Sequence, residues 1–291
     1  MEDTLLNEKI SFKQGHRARA WFLIFDYTFL IVLMLLMIIP LLKVFVDSVD
    51  PTTYGIRLWP QEIDFSAYKK VFSTSSLYRP FFVSALTTIS GTAFGLLMTT
   101  LAGYVVIQKQ MPGHKFIINF IFFTMLFNGG LIPAYLNIKN LGLMNNLIAV
   151  IVPCSLSAYN IILMKSFFET IPSTLYEAAA IDGCTPMLTF TKIVLPLSKP
   201  ALASIGLFIA VGLWNEYMHF ILYITNSKWQ NFQVKVRELI LNDGISGVSV
   251  TLSQDMLKSA VVVVVVLPFL LIYPFLQKYF VKGVTIGSVK G

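Results

Sequence analysis

An all-α membrane protein crossing the bilayer six times is what this sequence predicts, on three observations. Only 13% of its 291 residues are charged, about half the ~25% share of a soluble domain. Its mean hydropathy is +0.72, with 56% hydrophobic side chains. The apolar residues gather into six runs, at 21–42, 80–107, 116–135, 147–167, 201–224 and 257–280. Each is near the ~20 residues that a helix needs to cross hydrocarbon.

In chain order, residues 1–20 read as a cytoplasmic N-terminal segment and 21–281 as one transmembrane domain. The first run exceeds the ~7–15 residues of a signal-peptide core and no A-x-A-like cleavage site follows, so it is a span. The sixth run holds consecutive valines from 261 to 266, which would favour a strand in water. In lipid a lone strand leaves its backbone groups unpaired, so a helix is expected, bent at Pro268 and Pro274. An even number of spans puts both termini on one side. The segments 1–20, 108–115, 168–200 and 281–291 then share that side, and 43–79, 136–146 and 225–256 lie opposite. Lys and Arg are split almost evenly between the two, so the positive-inside rule does not set the orientation. In the last outer segment Phe232, Val236, Leu239 and Ile240 recur at helical spacing among Lys235, Arg237 and Glu238, which predicts a short amphipathic helix on the outer face.

Several function classes drop out. The net charge of +7 comes from 22 basic against 15 acidic residues without a dense basic patch, so nucleic acid is not a partner. Cys154 and Cys184 build neither a disulfide framework nor a metal site. His16, His114 and His219 are far apart, and neither H-E-x-x-H nor G-x-S-x-G occurs, which excludes the common hydrolytic centres.

The polar stretch 168–200 has helix punctuation. Pro172 suits a first turn and Gly183 the left-handed position after a last one, bounding a helix of about 16 Å. Thr185 then caps a second helix with Pro186 at its first position, and Pro196 and Pro200 lead into the fifth span. A stiff helix with a narrow face of Glu177, Ala178, Ala179 and Ala180 can enter a groove of a partner. It can equally lie on headgroups, with Leu175, Ala179, Met187, Phe190 and Ile193 toward lipid.

The run Glu177-Ala178-Ala179, then Gly183, then Ile193-x-Leu195-Pro196 resembles the EAA motif, E-A-A-x3-G-x9-I-x-L-P, of the membrane subunits of binding-protein-dependent ABC importers. Asp182, Phe190, Leu197 and Pro200 are similar to its carbohydrate branch, whose type example is the smaller permease subunit of the maltose importer. Asn128-Gly129-Gly130-Leu131-Ile132-Pro133, Gly212-Leu213-Trp214-Asn215-Glu216-Tyr217 and the tail 282–291 extend the likeness. The tail resembles the subgroup of lipoprotein-named permeases and importers of aldouronate, alginate or pectin fragments.

The resemblance implies a type I importer permease fold. Glu177, Ala178, Ala179, Asp182 and Gly183 would form a cytoplasmic coupling helix between spans four and five, in a cleft of an ATPase subunit. It implies a second homologous permease, two cytoplasmic nucleotide-binding subunits, an extracytoplasmic solute-binding protein and an oligosaccharide cargo, acidic in some relatives. The setting would be a bacterial cytoplasmic membrane with both termini inside, and the tail 282–291 would reach between the ATPase subunits. This chain has no G-x-x-x-x-G-K-[ST] loop, so ATP and Mg would belong to the partners and the chain would bind no cofactor.

For the solute pathway the polar residues inside spans are the candidates. Asn128 lies about 18 Å along the third span, with Gly129, Gly130 and Pro133 set to bend it. Asn215, Glu216 and Tyr217 sit toward the outer end of the fifth. Only Asp26 and Glu216 are carboxylates within spans, which counts against a proton- or sodium-coupled carrier. An ABC permease for a non-sugar solute stays open, and a carrier without ATPase is the more distant alternative.

Overall fold

The computed structural model describes residues 2–52, 57–241, 255–268, 270, 271 and 274, and these contain helices and loops with no strand. They fall into two compact units, Met1–Lys69 with Gly247–Val263 and Lys70–Ser246 with Val264–Gly291.

The first unit is led by α1 (Glu2–Asp47), a single helix through the predicted N-terminal segment and the first span. Its apolar surface is bare, with Trp21 72%, Phe25 70% and Leu36 69% exposed, as a lipid-facing helix requires. Beyond it a polar-knitted turn buries Ser48 and Asp50. The Asp50 carboxylate accepts hydrogen bonds from the backbone N–H of Thr52 and of Gln61, both at 2.8 Å, and from the Thr52 hydroxyl at 2.5 Å. Asp64 accepts from the backbone N–H of Ser66 at 2.8 Å and so starts α2 (Ser66–Ser73).

The second unit is built around α3 (Ser75–Val106). Gly91, Gly95, Thr99 and Gly103 recur every fourth residue and are buried. They form the small-residue stripe that lets membrane helices approach closely. A Cβ at Gly95 would come within 2.5 Å of the Ser155 carbonyl oxygen, so only glycine fits there. The hydroxyls of Thr87 and Thr100 turn back onto carbonyls of α3 itself, at 2.9 and 2.7 Å, which keeps a polar face compatible with a dry contact.

Against α3 pack α6 (Ile148–Ser155), α7 (Ala158–Phe168) and α11 (Lys199–Trp214). Between α3 and α6 come α4 (His114–Leu126) and α5 (Leu131–Asn140), and α4 buries none of its residues. Between α7 and α11 come α8 (Ser173–Ile181), α9 (Pro186–Thr189), a π-turn at Phe190–Val194 and α10 (Leu195–Leu197). The chain continues through α12 (Met218–Tyr223), α13 (Phe232–Leu241) and α14, residues 255–268.

The spans are less regular than the sequence predicts. Among the described residues two helices, Trp21–Asp47 and Ser75–Val106, are long and apolar enough to cross a membrane, and three bent helix pairs pass the same test when each is taken as one span. The third predicted span bends by 116° between α4 and α5, at the glycines expected to break it. The fourth, predicted as one span over 147–167, bends by 45° between α6 and α7. Pro153 lies in its last turn before the break and deprives the helix of one backbone donor. The fifth stops at Trp214 rather than 224 and restarts as α12, and an 81° bend at Ser198 separates it from the preceding helical stretch. The valine run is helical in α14, as expected in lipid, and most of the sixth span beyond it lies outside the described residues, as does the tail 282–291.

The amphipathic helix exists as α13, but its buried face is Phe232, Val234 and Leu239. Val236 is only half-buried. The backbone N–H of Phe232 donates to the Ser84 hydroxyl at 2.9 Å, which rotates the helix by its first residue rather than by its average pattern.

Candidate functional site

Three places carry polar or exposed groups that packing alone does not require. The first is the helix α8 and its elbow. The chain enters from Pro172, extended at φ −54° and ψ 131°, so this proline stands at the cap rather than in the first turn. At the other end the N–H of Cys184 donates to the Ala179 carbonyl at 2.9 Å and that of Gly183 to Ala180 at 3.1 Å. That pair of bonds is the Schellman closure, which needs a left-handed residue, and Gly183 supplies it at φ +74°. Thr185 then accepts from the N–H of Leu188 at 3.3 Å, starting α9 with Pro186 in its first turn as expected.

This elbow is seated on a core. Tyr104, Met164, Phe168, Ile171, Phe190 and Val194 form one buried cluster that continues along α11 through Ala201 and Ile205. The Tyr104 hydroxyl donates to the Pro186 carbonyl at 3.0 Å, and its ring lies 4.9 Å from that of Phe190. Tyr176 donates to the Phe168 carbonyl at 3.3 Å. Burial, with Tyr104 close by, pushes the Tyr176 phenol up to about 12, so it remains a donor at any physiological pH.

Ala179 is 3% exposed and faces this core, whereas Glu177, Ala178, Ala180, Asp182 and Gly183 are exposed. Ile181, 86% exposed, stands beside them. Ala179 and Phe190 are therefore not the lipid-facing residues of the headgroup alternative. What remains exposed is a small-sided ridge with two carboxylates, held against the core shared by the C-terminal ends of α3 and α7 and the start of α11.

The second place follows α11. Glu216 accepts from the backbone N–H of His219 at 3.0 Å, so its carboxylate caps the start of α12, where the helix dipole favours a negative charge. The imidazole Nδ1 of His219 lies 2.9 Å from the same carboxylate, out of hydrogen-bonding alignment. The Cys154 thiol is 3.7 Å from the other carboxylate oxygen. These three side chains offer ligand atoms within 4.8 Å of one another, a donor set a transition metal could use. The capping bond already accounts for the carboxylate. Asn231 donates to the Glu216 carbonyl, Gln233 reaches Asn215 at 3.5 Å, and the Arg237 guanidinium lies 4.6 Å over the Tyr217 ring. The sequence placed Asn215, Glu216 and Tyr217 together; Gln233 and Arg237 of α13 reach Asn215 and Tyr217, and Asn215 stays exposed.

Asn128 is elsewhere. It is exposed at the α4–α5 bend, and its side-chain oxygen accepts from the N–H of Gly130 at 2.9 Å. That local turn organises the bend, and no described contact joins Asn128 to residues 215–217.

The third place was not anticipated. Cys154, Ser157, Tyr159, Asn160, Phe208, Ile209 and Gly212 line a cavity of about 430 Å3 at the break in the fourth span. The signal was present: a proline at 153 followed by a short polar stretch, 155–160, inside an apolar run. Also unforeseen is Asn145, left-handed at φ 60°, whose side-chain oxygen accepts from the N–H groups of Thr225 and Asn226 at 2.8 and 2.9 Å. It ties the loop after α5 to the end of α12.

Residues 12–286 match the family described as binding-protein-dependent transport system inner membrane component. The chain is 39% identical over 276 residues to the polygalacturonan/rhamnogalacturonan transport system permease protein YtcP of Bacillus subtilis, covering 91% of this chain and 96% of that protein. It is 30% identical to the trehalose/maltose transport system permease protein MalG of Thermococcus litoralis, over 83% and 87%. Its fold is similar to a chain in a crystal structure of a bacterial ABC transporter involved in the import of the acidic polysaccharide alginate. That match has a TM-score of 0.86 at 30% identity and covers 91% and 98%.

Proposed function

Because the chain belongs to the binding-protein-dependent transport system inner membrane components, we propose that it forms half of the translocation pathway of an ABC importer for oligosaccharides. A second homologous permease supplies the other half. Two cytoplasmic nucleotide-binding subunits bind ATP and Mg, and an extracytoplasmic binding protein delivers cargo. Both termini and residues 168–200 are cytoplasmic in this reading, and six spans cross the bilayer.

The observation that carries it is the exposed ridge Glu177, Ala178 and Asp182 on a helix anchored from behind by Ala179. Alanines let a partner surface approach closely, and the two carboxylates give it charge to pair with. When the ATPase subunits close on nucleotide, the push on α8 is delivered to Pro186 and Phe190. From there it reaches α3 through Tyr104 and α11 through the shared core. Such a chain of close-packed contacts moves as a body rather than deforming, so the spans rock between inward- and outward-facing states. An acidic cargo is supported by the likeness to proteins named for polygalacturonan, rhamnogalacturonan and alginate.

The test uses the chain reconstituted with its cognate partners. A thiol in Ala178→Cys should cross-link to the ATPase subunit and become shielded from soluble reagents on assembly. Gly183→Pro should insert and assemble yet abolish uptake. Equal reactivity of that thiol with and without the ATPase, together with normal uptake in Gly183→Pro, overturns the coupling role. A cognate binding protein that takes up only a non-sugar solute would preserve the importer and remove the cargo assignment.

A further inference from the structure

We infer that the break in the fourth span is a glycosyl-binding subsite that this chain contributes to the pathway; the inference rests on the oligosaccharide reading above. Between α6 and α7 the helix is interrupted at residues 156 and 157, with Ser157 extended at φ −138° and ψ 125°. Interrupted backbone within a membrane is tolerated where it lines a cavity, and discontinuous helices of transporters commonly hold the solute. The Ser157 hydroxyl does not cap α7, and a helix of 11 residues begins there with its first N–H groups lacking carbonyl partners of the preceding turn.

The second observation is Asn160. It is 7% exposed and lines the cavity, and among the described residues its side-chain amide has no hydrogen-bond partner. An amide on the cavity wall offers two donors and an acceptor to whatever enters, and an apolar occupant would leave them unpaired at a cost. Lipid tails cannot satisfy them, whereas the vicinal hydroxyls of a pyranose can. Tyr159, 57% exposed, places an aromatic face with a polar tip at the rim, suited to the C–H face of a sugar. Phe208 and Ile209 form the apolar wall. Gly212 leaves the far side open, since a Cβ there would meet nothing within 4 Å. The cavity of about 430 Å3 falls within the ~300–1,000 Å3 of small-molecule sites. Its mixture of amide, hydroxyl and ring favours a glycosyl unit over an acyl chain.

The experiment measures uptake of a labelled galacturonate oligosaccharide by proteoliposomes holding the complete transporter, with loaded binding protein at saturation. Asn160→Ala should lower uptake about ten-fold, the equivalent of one strong hydrogen bond to cargo, and Asn160→Gln should recover part of it. Gly212→Leu fills the cavity from a helix position with free space, so it folds even if Asn160→Ala does not, and it should also lower uptake about ten-fold. In Cys154→Ser/Cys184→Ser chains, the thiol of Ser157→Cys should react several-fold more slowly with a methanethiosulfonate reagent when cargo is present. Wild-type uptake in Gly212→Leu, or labelling at position 157 that is indifferent to cargo, overturns the subsite. A wild-type complex that imports no oligosaccharide refutes the cargo reading instead, before any variant is compared.

Discussion

At the scale of single residues, conformation and hydrogen bonding decide more than composition. Gly183 is left-handed with open space around it, so the only penalty of a side chain is conformational. Gly183→Ala should cost the elbow about 1–2 kcal/mol and lower uptake in the reconstituted complex. Gly183→Asn should retain more uptake, since asparagine visits this region more readily. A reverse ranking in transport assays would mean that the left-handed turn is not what the site requires. Asp50 makes a different point. The Thr52 hydroxyl and the Gln61 N–H hold its carboxyl below the usual carboxylate range. Its folded pKa is depressed, so its contribution to stability is complete above the unfolded value of about 3.9 and disappears as pH falls through the lower folded value. The unfolding temperature should therefore fall below about pH 4, and Asp50→Asn should flatten that limb of the pH profile. Neither residue is marked by hydropathy, but Gly183 was legible because helix punctuation is local. The network around Asp50 joins residues 50 and 61 and was not.

At the scale of elements, the close approach of helices is set by what is missing from their side chains. Gly95 is the clearest case, because the atom that a Cβ would meet is a backbone carbonyl and cannot rotate aside. Gly95→Ala should destabilise the protein by about 2–3 kcal/mol, at the upper end of overpacking effects, read as a lower unfolding temperature in detergent. Tolerance equal to that of an exposed alanine would show that α3 and α6 separate freely. The four-residue period of Gly91, Gly95, Thr99 and Gly103 is visible in the sequence, yet which helices it admits depends on α6, α7 and α11 arriving from 50 to 120 positions away. The same holds for α13. Its amphipathic pattern foretold a helix, but the Ser84 bond to Phe232 turned it so that Val234 rather than Val236 is buried.

At the scale of the whole molecule, the proposed transport cycle requires residues 168–200 to be inside the cell. Cys184, half-buried beside the elbow, offers a native reporter. In a Cys154→Ser chain a membrane-impermeant thiol reagent should label it in inverted vesicles and not in intact cells. Labelling from outside would reverse the orientation and end the coupling proposal.

Membrane insertion, helical class, the punctuated helix closed by Gly183 and family kinship were all readable from the chain alone. They depend on composition, on apolar runs and on fixed spacings within about 20 consecutive residues. Where the spans break, which face of each helix is buried, and that Glu216 caps a helix while Asn160 lines a cavity, emerged only once the chain was folded. Those outcomes turn on partners far apart in sequence, and a hydropathy pattern records how apolar a residue is, not what it will meet.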